Sequence, residues 1–186
     1  MPVILIVPIG EVKNTILETV SNFVGVYYSR FGLSTRILPE IPVEPFSRAF
    51  NPIRGQYLGR VFLPTLASLR KKVGGKAVLG ITGLDLYEEG LNFIFGLANP
   101  SLKAAIISLH RLRPEFYGEE PDEELLKERA IKEAMHELGH VFGLGHCPDP
   151  RCVMHFSNSI LDTDLKSPLY CSTCAEKLSK NLEVLV

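Results

Sequence analysis

The stretch HELGHVFGLGHCPDPRCVM, residues 136–154, holds three of the chain's five histidines and two of its four cysteines. So many ligand-type side chains in so short a segment restrict the backbone paths open to it. Upstream, Pro121-Asp122-Glu123-Glu124 is an acidic opening of the kind that favours a helix N-terminus. Beyond it Leu126, Ala130, Ala134 and Leu138 recur every four residues, which predicts a helix to about Leu144 with that face packed on a core. His136 lies two positions from both Ala134 and Leu138, about 200° around the axis, and is expected to point away from the core. His140 stacks one turn further on, so the two imidazoles can share one ion. An ordinary pair of surface histidines is the alternative.

Gly143 comes where the helix must stop if the chain is to return, and a glycine reaches positive φ at little cost. A turn there brings His146 back as a third ligand. Three neutral imidazoles leave a fourth zinc position open, the arrangement of a reactive rather than a closed site. Glu137, rotated about 100° from His136, is placed to reach a water at that position and is the candidate general base.

Composition sets the frame around this motif. With 186 residues the chain is expected to fold as a single domain, residues 1–186, burying about 70% of its extended surface. The 20 basic and 21 acidic side chains nearly cancel, so bulk charge suggests no polyanionic partner and no nucleic acid. Arg70-Lys71-Lys72 before Gly74-Gly75 reads more simply as a helix end than as a nucleic-acid patch. No apolar run approaches the roughly 18–20 residues of a membrane helix, so no membrane association is expected. The opening MPVILIVPIG lacks a basic leader and is broken by Pro2 and Pro8; it reads as a buried strand, and the expected location is cytoplasmic. All four cysteines follow residue 146, in CPDPRC and CSTC, and without an export signal metal ligation is a better expectation than two disulfides.

Along the chain the periodicity predicts a strand from Val3 to Val7, a helix from about Asn14 to Phe31 closed by Gly32, and a short strand near Ser34 to Leu38. The proline-bearing segment Glu40 to Arg54 is expected to be loop. A second helix is expected over Gln56 to Lys72, and strands at Ala77 to Thr82, Leu91 to Phe95 and Ala104 to Leu109. Ala175 to Leu182 suits a final helix. The fold class is therefore α+β, with a twisted mixed sheet backed by helices.

The full pattern His136-Glu137, His140, Gly143, His146 resembles the zinc-binding signature of the metzincin clan of peptidases. Cys147 directly after the third histidine, then Cys152, Met154 and the Cys171/Cys174 CxxC narrow the resemblance to the archaemetzincins. It implies a metzincin-like fold, with residues 1–143 forming the sheet and helices and 144–186 a small irregular C-terminal part. It further implies two zinc ions: one catalytic, on His136, His140 and His146, and one structural, on Cys147, Cys152, Cys171 and Cys174, whose closed thiolate set should stabilise rather than react. Met154 is implied to support the histidine cluster from beneath; a plain core methionine is the alternative. Some metzincins carry a tyrosine two residues after this methionine, and here Phe156 stands there. His155 is expected to be a loop residue, with contact to substrate or metal as the alternative, and His110 is expected to be structural. The resemblance also implies a sheet edge that holds an extended peptide, and Phe95, Gly96, Leu97 and Ala98 are the candidates, Gly96 and Ala98 being small enough for close backbone approach. The implied activity is hydrolysis of peptide or protein substrates; a monomer is the separate expectation for the chain's assembly. A non-catalytic zinc-binding interaction module is the rival expectation.

Overall fold

The computed structural model describes residues 1–185. The first strand of its main sheet, β1 (Val3–Ile9), is a run buried from Ile4 to Ile9. It is flanked by β2 (Ser34–Ile37) and β5 (Ala77–Thr82), both parallel to it. Next come β8 (Ala104–Ser108), parallel to β5, and at the edge β7 (Gly96–Asn99), antiparallel to β8. The order is β2-β1-β5-β8-β7. Burial on both faces explains why β1 and β5 read as near-continuous apolar runs rather than alternating ones.

Successive side chains of these strands serve two cores. Ile4, Ile6, Leu79, Ile81 and Ile107 pack beneath α1 (Asn14–Tyr28) and α3 (Glu123–Val141). Leu5, Val7, Val78 and Ile106 meet α2 (Phe62–Val73) on the other face, through Phe62, Leu63 and Leu66. The expected mixed sheet backed by helices is thus present.

Three expected elements differ in detail. Gln56 to Leu58 form a strand, β4, instead of opening the second helix; it pairs with β6 (Leu86–Tyr87), and α2 starts only at Phe62 after one 3-10 turn. Pro64 therefore falls in the first turn of α2, where its missing N–H costs nothing. The proline-rich loop contains a 3-10 helix at Glu44–Ala49 and β3 (Phe50–Asn51). The strand expected at Leu91 to Phe95 forms later, at Gly96–Asn99. The Leu91 and Asn92 carbonyls instead accept hydrogen bonds from the Arg54 guanidinium at 2.7 and 3.0 Å, and Gln56 Nε2 also donates to Asn92. Side chains distant in sequence thus take up the groups that would have formed a ladder.

Helix α3 is the bridge between this sheet and the segment that follows it. Asp122 caps its start by accepting from the Leu125 N–H at 3.0 Å. Leu126, Ala130, Ala134 and Leu138 are buried against the first core, as the four-residue spacing predicts. The opposite face is covered as well. Arg129 forms a two-point ion pair with Asp164 of α4 (Ile160–Leu165) and donates to the Leu112 carbonyl. Tyr170 donates to the Met135 carbonyl at 2.6 Å, which leaves Tyr28 as donor to the Tyr170 oxygen at 2.7 Å. The chain ends in α5 (Ser172–Leu185), whose Leu178 and Leu182 join the same core.

Gly139 is the tightest point of this second interface. A Cβ there would run into the Met154 sulfur and would come within 3.1 Å of Met154 Cε and Tyr170 Cε1. Helix propensity alone favours alanine by about 1 kcal/mol, whereas overpacking a filled core costs about 1–3 kcal/mol. Gly139→Ala is accordingly expected to lower the thermal midpoint by a few degrees. A midpoint raised by the substitution would show that Met154 moves aside freely.

Candidate metal centre and active site

His136 and His140 project from α3 with their Nε2 atoms 3.1 Å apart. Each Nδ1–H has a fixed acceptor: His136 donates to the Val153 carbonyl at 2.7 Å and His140 to the Leu144 carbonyl at 2.8 Å. With Nδ1 carrying the proton, each Nε2 presents a lone pair, and two lone pairs converge. His146 completes the group, its ring centroid 5.4 Å from His136 and 4.9 Å from His140. One nitrogen of each ring lies within 4.8 Å of the others, so the three fit a single ion. Burial is the main cause holding all three imidazoles below their ordinary pKa, His136 most strongly, with neighbouring positive charge from Lys166 adding to it. Neutral imidazole is the ligand form.

The sequence placed His136 on an outward face, and the structure corrects this: it faces away from the sheet yet is buried, because residues 152–154 fold over it. The return of His146 depends on Gly143, whose φ of +93° an L side chain rarely adopts. Asn181 of α5 secures that turn by donating to the Phe142 carbonyl at 2.9 Å. Met154 is fully buried, its sulfur packed against Gly139.

Cys147, Cys152, Cys171 and Cys174 form a second group with their sulfurs within 4.8 Å of one another. Three backbone N–H groups point at these sulfurs: Met154 and Cys171 donate to Cys152, and Cys174 donates to Cys171. The bond from Cys174 is the main reason the Cys171 thiol ionises more readily than usual, while burial pushes the Cys152 and Cys174 thiols up. The two groups share a strut. Cys147 N–H donates to the Met154 carbonyl, and the Cys147 carbonyl accepts from His155 Nδ1 at 2.8 Å. That contact holds the His155 ring against the strut, and His110 packs on Phe116.

Glu137 is buried beside His136. Burial, reinforced by the carboxyl of Glu133, holds it well above the ordinary carboxylate range. It lines a cavity of about 230 Å³ with His136, Phe93, Gly96, Phe156 and Asn158. Glu133 and Lys166 form part of the same lining: Lys166 Nζ is 3.9 Å from Glu133 Oε1 and donates to the His155 carbonyl at 3.0 Å. The Ser157 hydroxyl, also in the lining, is buried without a hydrogen-bond partner.

Gly96, Leu97 and Ala98 lie on the edge strand β7, whose one partner in the sheet is β8. Phe95 falls just before the strand with its side chain in the core, although its carbonyl still accepts from Ser108 N–H. A Cβ on Gly96 would lie 2.7 Å from Glu137 Oε1 and 2.9 Å from the Ile106 carbonyl, so the missing side chain makes room for Glu137 itself.

Several site residues escaped the sequence analysis. Glu133 is one helical turn before Glu137, a spacing that could have flagged it. Gly139, a glycine inside a helix between two ligands, was a signal of close approach. Lys166 and Asn158 carry no local signal, since they reach the site only through the path of the chain after Met154.

Comparison with known proteins agrees with this geometry. The model of peptidase family M54 matches residues 4–180. The archaemetzincin of Pyrococcus furiosus is 57% identical over 179 residues, covering 96% of this chain and 93% of the relative. That of Thermococcus kodakarensis is 54% identical over 186 residues and 100% of both chains. Among solved structures, an archaemetzincin from Archaeoglobus fulgidus complexed with malonate superposes with a TM-score of 0.77 at 36% identity, covering 94% of this chain and 99% of that one. A zinc-dependent peptidase from Methanocorpusculum labreanum gives a TM-score of 0.81 at 30% identity over the same shares. Family match, full-length relatives and the paired ligand groups agree: the chain belongs to peptidase family M54, the archaemetzincins, and is classed with the zinc metallopeptidases.

Proposed function

We propose that this chain hydrolyses peptide bonds in peptide or protein substrates. A catalytic zinc would be held by His136, His140 and His146, and a structural zinc by Cys147, Cys152, Cys171 and Cys174. The observation that carries the proposal is the convergence of two Nε2 lone pairs at 3.1 Å beside a buried carboxyl group and an open cavity. Zinc bound there supplies Lewis acidity, polarising an amide carbonyl and acidifying water.

The protein's own groups account for the remaining steps. Glu137 takes the proton of the attacking water on its carboxylate and delivers it to the leaving amine. Gly96 keeps the space that this carboxylate occupies. Strand β7 offers N–H and C=O groups to an extended substrate backbone, with Gly96, Leu97 and Ala98 as the pairing residues, so recognition there is largely independent of side chains. Met154 holds the floor of the histidine group, and the turn at Gly143 sets the third ligand. Four free thiols gathered at ligand distance suit a reducing compartment, which supports a cytoplasmic enzyme. No helix of the described residues is long and apolar enough to cross a membrane.

The first test is metal content. Native mass spectrometry of zinc-loaded protein is expected to show two ions per chain, the first removed by mild chelation and the second retained. Cys171→Ser is expected to lower both zinc content and thermal midpoint, because binding at a closed thiolate set is coupled to folding. A single ion in fully loaded wild-type protein would contradict the two-site assignment.

The second test separates chemistry from structure. Glu137→Gln is expected to keep both ions and the wild-type midpoint while hydrolysis of a peptide library, followed by mass spectrometry, falls by about 100-fold or more. Full activity in this variant would remove Glu137 from the mechanism.

A further inference from the structure

A second cavity, of about 440 Å³, lies against the first and shares Phe93 and Asn158 with it. Its walls include Phe116, Tyr117, Ile160 and Leu161. Leu161 is 70% exposed, Phe116 43% and Tyr117 40%, so a contiguous apolar surface faces solvent at the end of the candidate active-site cleft.

The wall between the two cavities is built rather than accidental. Arg111 is clamped by a two-point ion pair with Asp85 at 2.9 and 3.0 Å. Its guanidinium lies between the rings of Phe93 and Phe116, 4.6 and 4.8 Å from their centroids. Phe93 meets Phe95 edge-on at 4.9 Å, and Phe116 meets Tyr117 edge-on at 5.1 Å. The Tyr117 hydroxyl returns to the Arg111 carbonyl at 2.6 Å. A rigid stack thus runs from Phe95, beside the edge strand, to Tyr117 in the second cavity. Arg111 and Arg129 both line that cavity, yet each is already paired with an aspartate, so neither presents an uncompensated charge to an anion. Glu119 adds a carboxylate to the lining, which further disfavours an anion; the remaining surface is apolar with aromatic and guanidinium faces, which suits an apolar and above all an aromatic side chain.

We propose that the second cavity is a substrate pocket for an aromatic side chain two residues beyond the one that fills the first cavity. The proposal rests on peptide hydrolysis at the histidine group. The spacing follows from an extended backbone, in which every second side chain points the same way. The side follows from β7: a peptide added antiparallel to it runs from the Asn99 end towards Gly96 and on to Phe93, which puts both cavities on the leaving-amine side. Continuity of the lining through Phe93 and Asn158 is what assigns the surface to the substrate rather than to another protein.

The test uses zinc-loaded wild-type protein and peptides of one sequence in which a single phenylalanine is moved through each position on both sides of the cleaved bond. Phenylalanine at the assigned position is expected to raise kcat/KM about tenfold over alanine. Phe116→Ala and Leu161→Asp, both at exposed positions, should abolish that gain and leave unchanged the hydrolysis of peptides ending short of the pocket. Equal kcat/KM at every position, or equal losses on short and long peptides, would overturn the pocket. So would a concentration-dependent dimer in sedimentation that Leu161→Asp dissolves without changing the kinetics, since a second copy would then cover the surface. Should wild-type protein cleave none of these peptides, the hydrolytic assignment fails by itself. Fluorescence anisotropy of the labelled peptides, with the same two variants, then decides the pocket: binding strengthened by phenylalanine at the assigned position supports it, and indifference overturns it.

Discussion

Two imidazole lone pairs 3.1 Å apart inside a protein repel each other unless a cation lies between them. Their convergence is imposed by two backbone carbonyls, Val153 and Leu144, that claim the Nδ1 protons and so turn each Nε2 towards the other. Both carbonyls belong to the chain after α3. The electronic state of the histidines therefore depends on how that segment is held, and the four cysteines hold it: Cys147 donates to Met154, and Cys152 lies next to Val153. The cysteine group and the imidazole group are two ends of one turn. Loss of the former is expected to be felt as misalignment of the latter, because partners behind a ligand set its direction as much as the ligand's own rotamer does.

The same dependence explains what was and was not legible in the sequence. The periodic burial of Leu126, Ala130, Ala134 and Leu138, the acidic opening of the helix at residues 121–124 and the histidine spacing are local patterns, and the structure contains the helix and both groups of candidate ligands. The central strands were legible because burial on both faces leaves an unbroken apolar signature, as in Val3–Ile9. The elements that were misplaced are those decided by distant polar side chains. Gln56 and Arg54 bind the carbonyls of residues 91 and 92, so that neither the strand at Gln56 nor the irregular path before Gly96 has a local cause. The burial of His136 likewise depends on a segment folding over α3 from far along the chain.

Glycine at two positions turns out to be a matter of space more than of backbone angle. At residue 96 the missing methyl accommodates Glu137, and at residue 139 it accommodates Met154. Gly96 lies on the edge strand and Gly139 on α3 itself, so the helix is approached at closer than usual range by the edge strand at Glu137 and by Met154 at Gly139. Such a clamp limits the freedom of Glu137 and the histidines without a hydrogen bond to each of them, and it adds a form of preorganisation that rests on shape.

The pairing of Tyr28 with Tyr170 joins residues 142 positions apart and rests on the Met135 carbonyl of α3. Closing so long a span costs more chain entropy than any strand crossover in the sheet, and contacts of that separation form late in folding. The sheet with α1 and α3 can assemble from the first three quarters of the chain, whereas the covering segment has to dock onto a surface already in place. During synthesis α3 would then exist before the turn that orients its histidines. Ligand orientation would be withheld until the last cysteines arrive, so that a growing chain passes through a stage with the histidines present and the hydrolytic centre not yet competent.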